Sequence, residues 1–257
     1  METPSKKAVV DWLYSVVLRF WRKAAARAER TELTRLRGQR TRARVLRYHL
    51  NHLIHVADNR LAFPVIGSNA FQKSHDADWA WRPELWRGSL PAPGMSSVES
   101  KTKMGNEVTL FHDCRVSELT LRQLRNTRES DLAPFGLRMD VFRFDGSFLS
   151  LAIDLPEDGV RGLNRGHLLR LDTIVEMEKP LEIFARLNVQ HGPNTEQLVR
   201  ELPLNQENVM VEFDLGYSKL NEKRVEKAWL DLIFEGPEMN QVILRDVTLS
   251  RRPRAEF

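Results

Sequence analysis

Beyond Pro64 the apolar residues of this chain alternate with polar ones in short runs, each closed by Gly, Pro, Asn or Asp. A period of two puts successive side chains on opposite faces of an extended strand. The pattern recurs near Glu107–Cys114, Glu118–Leu124, Gly136–Phe144, Ser147–Asp154 and His167–Met177. It continues near Leu181–Val189, Glu196–Leu202, Val209–Leu215, Ala228–Phe234 and Gln241–Ser250. Turn sequences punctuate the runs: FDGS at Phe144–Ser147, HGPN at His191–Asn194 and EGPEMN at Glu235–Asn240. About ten strands without intervening helices argue against a doubly wound α/β arrangement. They predict a mainly β fold, an antiparallel β-sandwich of jelly-roll-like kind, over residues 107–257.

Residues 64–106 differ. Three of the six tryptophans, Trp79, Trp81 and Trp86, stand here among Pro83, Pro91, Pro93, Gly88 and Gly94. Trp79 and Trp81 are two apart and share a side in extended chain, and Pro83 then interrupts the strand. Such a pair could form a sugar platform, but large aromatics in a Pro/Gly-rich stretch more often pin it to a core. The segment is expected to wrap across the sandwich.

The first 63 residues follow a helical period. Val9, Trp12, Leu13, Val16, Val17, Phe20 and Ala24 fall on one side, with Asp11, Ser15 and Arg22 opposite. Gly38 is expected to break the pattern before a second helix from about Gln39 to Asn59, striped by Val45, Leu46, Leu50, Leu53, Val56 and Ala57. The intervening ARAERTELTRLRGQRTRAR is too charged for a core. Residues 1–60 carry 14 Lys/Arg against 5 Asp/Glu, a net +9, so the remainder, 25 against 30, is net −5. A basic arm of this kind seeks anionic lipid, nucleic acid or an acidic partner. Trp12, Phe20 and Trp21 beside Arg19, Arg22 and Lys23 meet the needs of an interfacial helix, rings at headgroup depth and cations on anionic lipid. Packing against protein is the competing use of the stripe. No DNA- or RNA-binding motif accompanies the charge, so no specific nucleic-acid partner is expected.

No stretch is apolar enough for a spanning helix, and Asp11 and Arg19 interrupt the signal-like apolar run. An AxA-like string from Ala24 to Ala28 keeps secretion as an alternative. The single cysteine, Cys114, excludes an internal disulfide framework and fits a reducing compartment. The expectation is a cytoplasmic protein, peripheral to the inner membrane if the arm is interfacial.

Chemistry-bearing motifs are sparse. HLNHLIHVAD spaces His49, His52, His55 and Asp58 by three, which lets adjacent pairs meet on a helix but not all four converge. No metal and no cofactor are expected; GxGxxG, P-loop, HExxH and CxxC are all missing from the sequence. His112 and Cys114 would share a strand face, but a Cys–His nucleophile requires an activated thiolate, and a structural cysteine is the simpler reading. Glu176, Glu178, Glu212, Asp214, Asp231 and Glu235 could supply paired carboxylates for glycoside hydrolysis, which needs two across a cleft at a set separation.

The ligand face with most content comes from alternation. Arg186, Asn188 and Gln190 share one face of their run, Trp229 and Asp231 of theirs, and Glu212 of a third. Were these strands in one sheet, the face would offer a ring for a pyranose and donors and acceptors for its hydroxyls. A plain solvated sheet face is the competing reading.

Two resemblances accompany these observations. The hairpin LDLIFEGPEMNQVILRDVTLSRRP, through Val242, Leu244, Asp246, Val247 and Leu249, resembles the last two strands of galactose-binding-like jelly rolls, common among carbohydrate-binding modules. Arg245 stands where a second acidic residue is frequent, which departs from a calcium-binding pattern. FRFDGSFLSLAIDLP and IFARLNVQHGPNTEQ resemble an uncharacterised family of alphaproteobacterial proteins of unknown function. Together the residues and resemblances imply a non-catalytic binding protein for a glycan or glycolipid precursor. A protein-interaction module and a carboxylate-dependent glycan-active enzyme are the alternatives.

Overall fold

The computed structural model describes residues 6–62, 76–128 and 130–254, and the chain divides into two units, residues 1–54 and 55–257. In the first, α1 (Lys6–Arg27) leads through a single 3₁₀ turn at Ala28–Arg30 into α2 (Leu33–Ala62), whose residues beyond Ile54 fall in the second unit. The break therefore falls about ten residues before Gly38, which lies inside α2 with nothing within 4 Å of where its Cβ would stand. One exposed glycine costs about 1 kcal/mol against alanine, too little to stop a run rich in Leu, Arg, Gln and Ala. Charge excludes the stretch from a core without excluding it from a helix. The side chains of Val9, His52, His55, Val56 and Asp58 lie outside the described residues; His49 is exposed.

The second unit is a sandwich of two antiparallel sheets. Its strands are β1 (Trp79–Trp81), β2 (Gly94–Ser96), β3 (Thr102–Met104), β4 (Val108–His112), β5 (Leu119–Arg125), β6 (Phe135–Val141) and β7 (Leu149–Asp154). They continue as β8 (His167–Met177), β9 (Ile183–His191), β10 (Asn194–Glu201), β11 (Asn208–Asp214), β12 (Val225–Phe234) and β13 (Asn240–Pro253). One sheet runs β11-β8-β13-β6-β5-β2, with β1 added on β13; the other runs β10-β9-β12-β7-β4-β3. The inward positions of both, among them Leu110, Leu151, Leu187, Leu230, Leu171, Phe213 and Leu249, form one continuous core. Removing these side chains from water is the main favourable contribution to the fold.

The wrapping segment supplies three strands and one helical turn, α3 (Glu84–Arg87), rather than extended coil alone. Three-residue strands between prolines and glycines are too short to show a period. β2 is held by β5 and β3 by β4, while β1 is held by β13, which pairs with β6 only over Asn240–Leu244 and with β1 over Leu249–Arg251. Between those stretches a bulge separates Leu244 from Asp246 in the pairing with β8. The backbone groups released there are taken by side chains. Trp86 Nε1 donates to the Leu244 carbonyl at 2.8 Å, Asn126 Nδ2 to that of Arg245 at 2.9 Å, and Thr173 Oγ1 to that of Asp246 at 2.8 Å. Arg82 adds a paired bond to Asp246, with Nε 2.8 Å from Oδ1 and Nη2 2.6 Å from Oδ2. Trp86 is fully buried and Trp81 nearly so. Trp79 stacks on Trp81 at 6.2 Å and fills the space where a side chain on Gly159 would stand.

Candidate functional site

A trough of about 880 Å³ crosses the outward face of the six-stranded sheet. Alternation puts Leu230 and Leu232 of β12 into the core and turns Trp229, Asp231 and Ile233 outward. Register then decides their neighbours. Trp229 lies opposite Asn188 of β9 and Asp154 of β7, and Asp231 opposite Arg186 and Ala152. Ala152 in turn faces Thr109 of β4, which faces Lys103 of β3. Thr109, Ser150 and Ala152 are small and buried, so they form a low floor. Trp229, Ile233, Phe111 and Phe148 rise around it, with Phe148 substantially exposed.

The charges of the trough are mostly paired. Arg186 donates to Asp231 Oδ2 from Nε at 3.0 Å and Nη2 at 2.8 Å, and Asn188 Nδ2 donates to the same oxygen at 2.9 Å. Gln197 holds the Asn188 carbonyl oxygen at 3.0 Å. Lys227 sits 2.7 Å from Asp154, its ammonium 5.6 Å from the centroid of the Trp229 ring. Lys101 and Lys103 are exposed and have no ion pair among the described residues.

The structure thus brings Trp229, Arg186, Gln190 and Asp231 to one surface. Asn188 belongs to the same face but is fully buried, its amide spent on Asp231 and on the carbonyls of Arg186 and Trp229. Its place is in supporting Asp231 rather than in contact with solvent. Glu212 is a correction: it lies on β11, in the other sheet, where it accepts from Arg252 at 3.2 Å. Alternation fixes the face of a residue within its strand, not the sheet to which the strand belongs. Phe111, Phe148, Lys101, Lys103, Lys227 and Asp154 were not legible as site residues. Lys103, Phe111 and Asp154 stand on β3, β4 and β7, and Lys101 and Phe148 just before β3 and β7. All lie 70 residues or more before β12, so only the folded sheet makes them neighbours of Trp229. Lys227 is on β12 itself, two positions from Trp229.

The outward face of the other sheet has a smaller cleft of about 360 Å³. Its charges are engaged: Arg170 on Asp172 at 2.6 Å and Arg128 on Glu207 at 3.0 Å. The acidic residues considered for hydrolysis are divided between the sheets and largely tied to arginines, Glu176 to Arg245, Asp214 to Arg254 and Asp231 to Arg186. Asp246 of the jelly-roll-like hairpin is occupied by Arg82.

His112 and Cys114 do not form a nucleophilic pair. The strand ends at His112, whose Nε2 lies 2.8 Å from the Val98 carbonyl and whose Nδ1 accepts the Cys114 backbone N–H. Those partners match a ring whose proton sits on Nε2. Burial, with Asp145 and Asp113 nearby, pushes the Cys114 thiol up, away from the thiolate a nucleophile requires.

A model of the DUF6478 family, described as a family of unknown function, matches residues 1–257. No curated protein matches the sequence. Solved structures similar to it include the enzymatically active domain of tailspike protein 4 from Bacteriophage CBA120, at 8% identity over 60% of this chain and 21% of that one, TM-score 0.41. The chain therefore spans about a fifth of that protein's length. A family 11 carbohydrate-binding module from Clostridium thermocellum, in complex with a β-1,3-1,4-mixed-linked tetrasaccharide, is similar at 10% identity, 65% and 99% coverage, and TM-score 0.39. The CBM22-1 xylan-binding domain from Paenibacillus barcinonensis is similar at 9% identity, 63% and 94% coverage, and TM-score 0.35.

Proposed function

We propose that this chain, which belongs to the DUF6478 family of unknown function, binds a glycan in the trough across its six-stranded sheet. The observation that carries the reading is Trp229 standing beside the Arg186–Asp231 pair and Gln190, above a floor of small side chains. A pyranose offers an apolar face that stacks on indole and hydroxyls that need both donors and acceptors. The guanidinium is already fixed by its carboxylate, so little side-chain entropy remains to be lost on binding. Trp229 is only half-buried, so truncating it leaves the core intact. A glycan array should identify a ligand, and Trp229→Ala should weaken it by about 2 kcal/mol, near 30-fold, in calorimetry. Unchanged affinity in that variant, at an unchanged melting temperature, would move the site elsewhere. A silent array would favour a protein partner instead.

The arm supports a second element of the reading, an anionic membrane surface. From Trp12 to Arg47 there are 11 Lys/Arg and 2 Asp/Glu. Within α1, Trp12 and Phe20 are 62% and 54% exposed, with Arg19, Arg22 and Lys23 exposed beside them and Trp21 set edge-on to Phe20 at 5.3 Å. Leu13, Val17 and Leu18 are exposed as well. Apolar rings flanked by cations match the depth profile of an anionic bilayer surface, at about 1 kcal/mol per basic residue near it. Among the described residues no helix is long and apolar enough to cross a membrane, and the proposed contact is with the surface. The full chain should co-sediment with phosphatidylglycerol vesicles at low salt, less with phosphatidylcholine, and progressively less as salt is added. Equal recovery with both lipids would leave the arm as a protein-docking element.

A further inference from the structure

The trough has the opposite sign to the unit that carries it. Four cations line it, Lys101, Lys103, Lys227 and Arg186, against two carboxylates, Asp154 and Asp231, whereas residues 61–257 are net −5. Both carboxylates are already engaged, by Lys227 and Arg186. The surplus is therefore localised on Lys103 of β3 and on Lys101 in the turn just before it, both of which line the trough. Register sets the distance to the aromatic end. The row Asp231, Ala152, Thr109, Lys103 crosses four adjacent strands, β12, β7, β4 and β3, which is about 14 Å at the usual strand spacing. The floor along that row is made of small residues, so a ligand can lie across the strands from one end to the other.

Resting on the glycan reading above, we infer that the trough takes an acidic oligosaccharide. One sugar ring stacks on Trp229, the chain runs across Ala152 and Thr109, and its carboxylate or sulfate groups meet Lys101 and Lys103. A monosaccharide is too short to reach both ends. A free anion would gain nothing from the aromatic wall. Sugar and charge together use the whole surface, and the positive patch on a negative body also favours encounter with a polyanionic chain.

The test compares the intact protein with Lys101→Gln/Lys103→Gln and Trp229→Ala, on uronate- and sulfate-bearing oligosaccharides and neutral ones of equal length, tetragalacturonate and cellotetraose among them. Both lysines are exposed, so an unchanged melting temperature is expected for the double variant. The intact protein should prefer the acidic ligand by roughly 3- to 30-fold at low salt, the range expected for two exposed charge pairs. In the double variant that ratio should fall toward one, and added salt should do the same in the intact protein. A neutral ligand bound as tightly as its acidic counterpart overturns the inference and leaves the glycan reading standing if Trp229→Ala still weakens it. An acidic preference that survives the double substitution also overturns it. Binding to none of these sugars overturns both, as does tighter binding of a single-stranded oligonucleotide of the same charge.

Discussion

Trp86→Ala should lower the stability of the sandwich by about 5 kcal/mol, one of the two largest losses expected from a single change. Truncating a fully buried tryptophan costs about 3–5 kcal/mol through lost transfer energy and the cavity left behind. Trp86 also donates its Nε1 proton to the Leu244 carbonyl, at the end of the β6 pairing and beside the β13 bulge. Without that donor a buried acceptor is left unsatisfied, about 1–3 kcal/mol in its own right. For a unit of this size the sum is a fall in melting temperature of roughly 10–20 °C. Trp86→Phe keeps a buried aromatic ring but loses the donor and part of the indole volume, so its loss should be smaller, about 1–3 kcal/mol. Denaturant titration of both variants gives the comparison. A Trp86→Ala protein that melts within a few degrees of the parent would mean that the wrapping segment rests on the sandwich without being part of its core.

That tryptophan also marks how far the sequence carries. Its role as an anchor was legible, because a large ring among prolines and glycines has little else to do. The strand that receives it was not, since the acceptor lies 158 positions away. The same division runs through the site. Period-two alternation put Trp229 with Asp231 and Arg186 with Gln190 on shared faces, and adjacency of β9 and β12 brought the two pairs together. Glu212 obeys the same alternation and ends on the other sheet, because chain order alone does not say when a strand crosses the sandwich. Asn188 shows a further limit. It points outward between Trp229 and Gln197 of the flanking strands, and their bulk covers it. Lys101 and Lys103 look like ordinary surface charge until β3 is seen to border the trough. Gly38 failed for a different reason: local propensity is a sum over a helix, and a single weak residue does not decide it.

Arg82→Met should be nearly as damaging as the loss of Trp86, at about 3–5 kcal/mol, because it strands a carboxylate inside the protein. Arg82 and Asp246 are 2% and 7% exposed. Burial pushes the Asp246 carboxyl above the usual carboxylate range, against the pull of Arg82, Thr248 and the Val247 amide. A folded value above the unfolded one means that the native state binds the proton more tightly. Stability from this group is then fully present below the unfolded value, about 3.9, and is lost as pH rises through the folded value. Removing the guanidinium removes the largest downward pull and extends that loss toward neutral pH. The deficit of Arg82→Met should therefore shrink as the buffer is taken from about pH 7 to about pH 5. Arg82→Met combined with Asp246→Asn has no buried charge left to strand, so its cost should fall short of the summed single losses by about 2–3 kcal/mol. Strict additivity, or a deficit that does not change with pH, would show that Asp246 finds water or another cation once Arg82 is gone. The pair would then be an ornament of the β13 bulge, and Trp86, buried Trp81 and the strand pairings of β1 to β3 would carry the attachment of the wrapping segment.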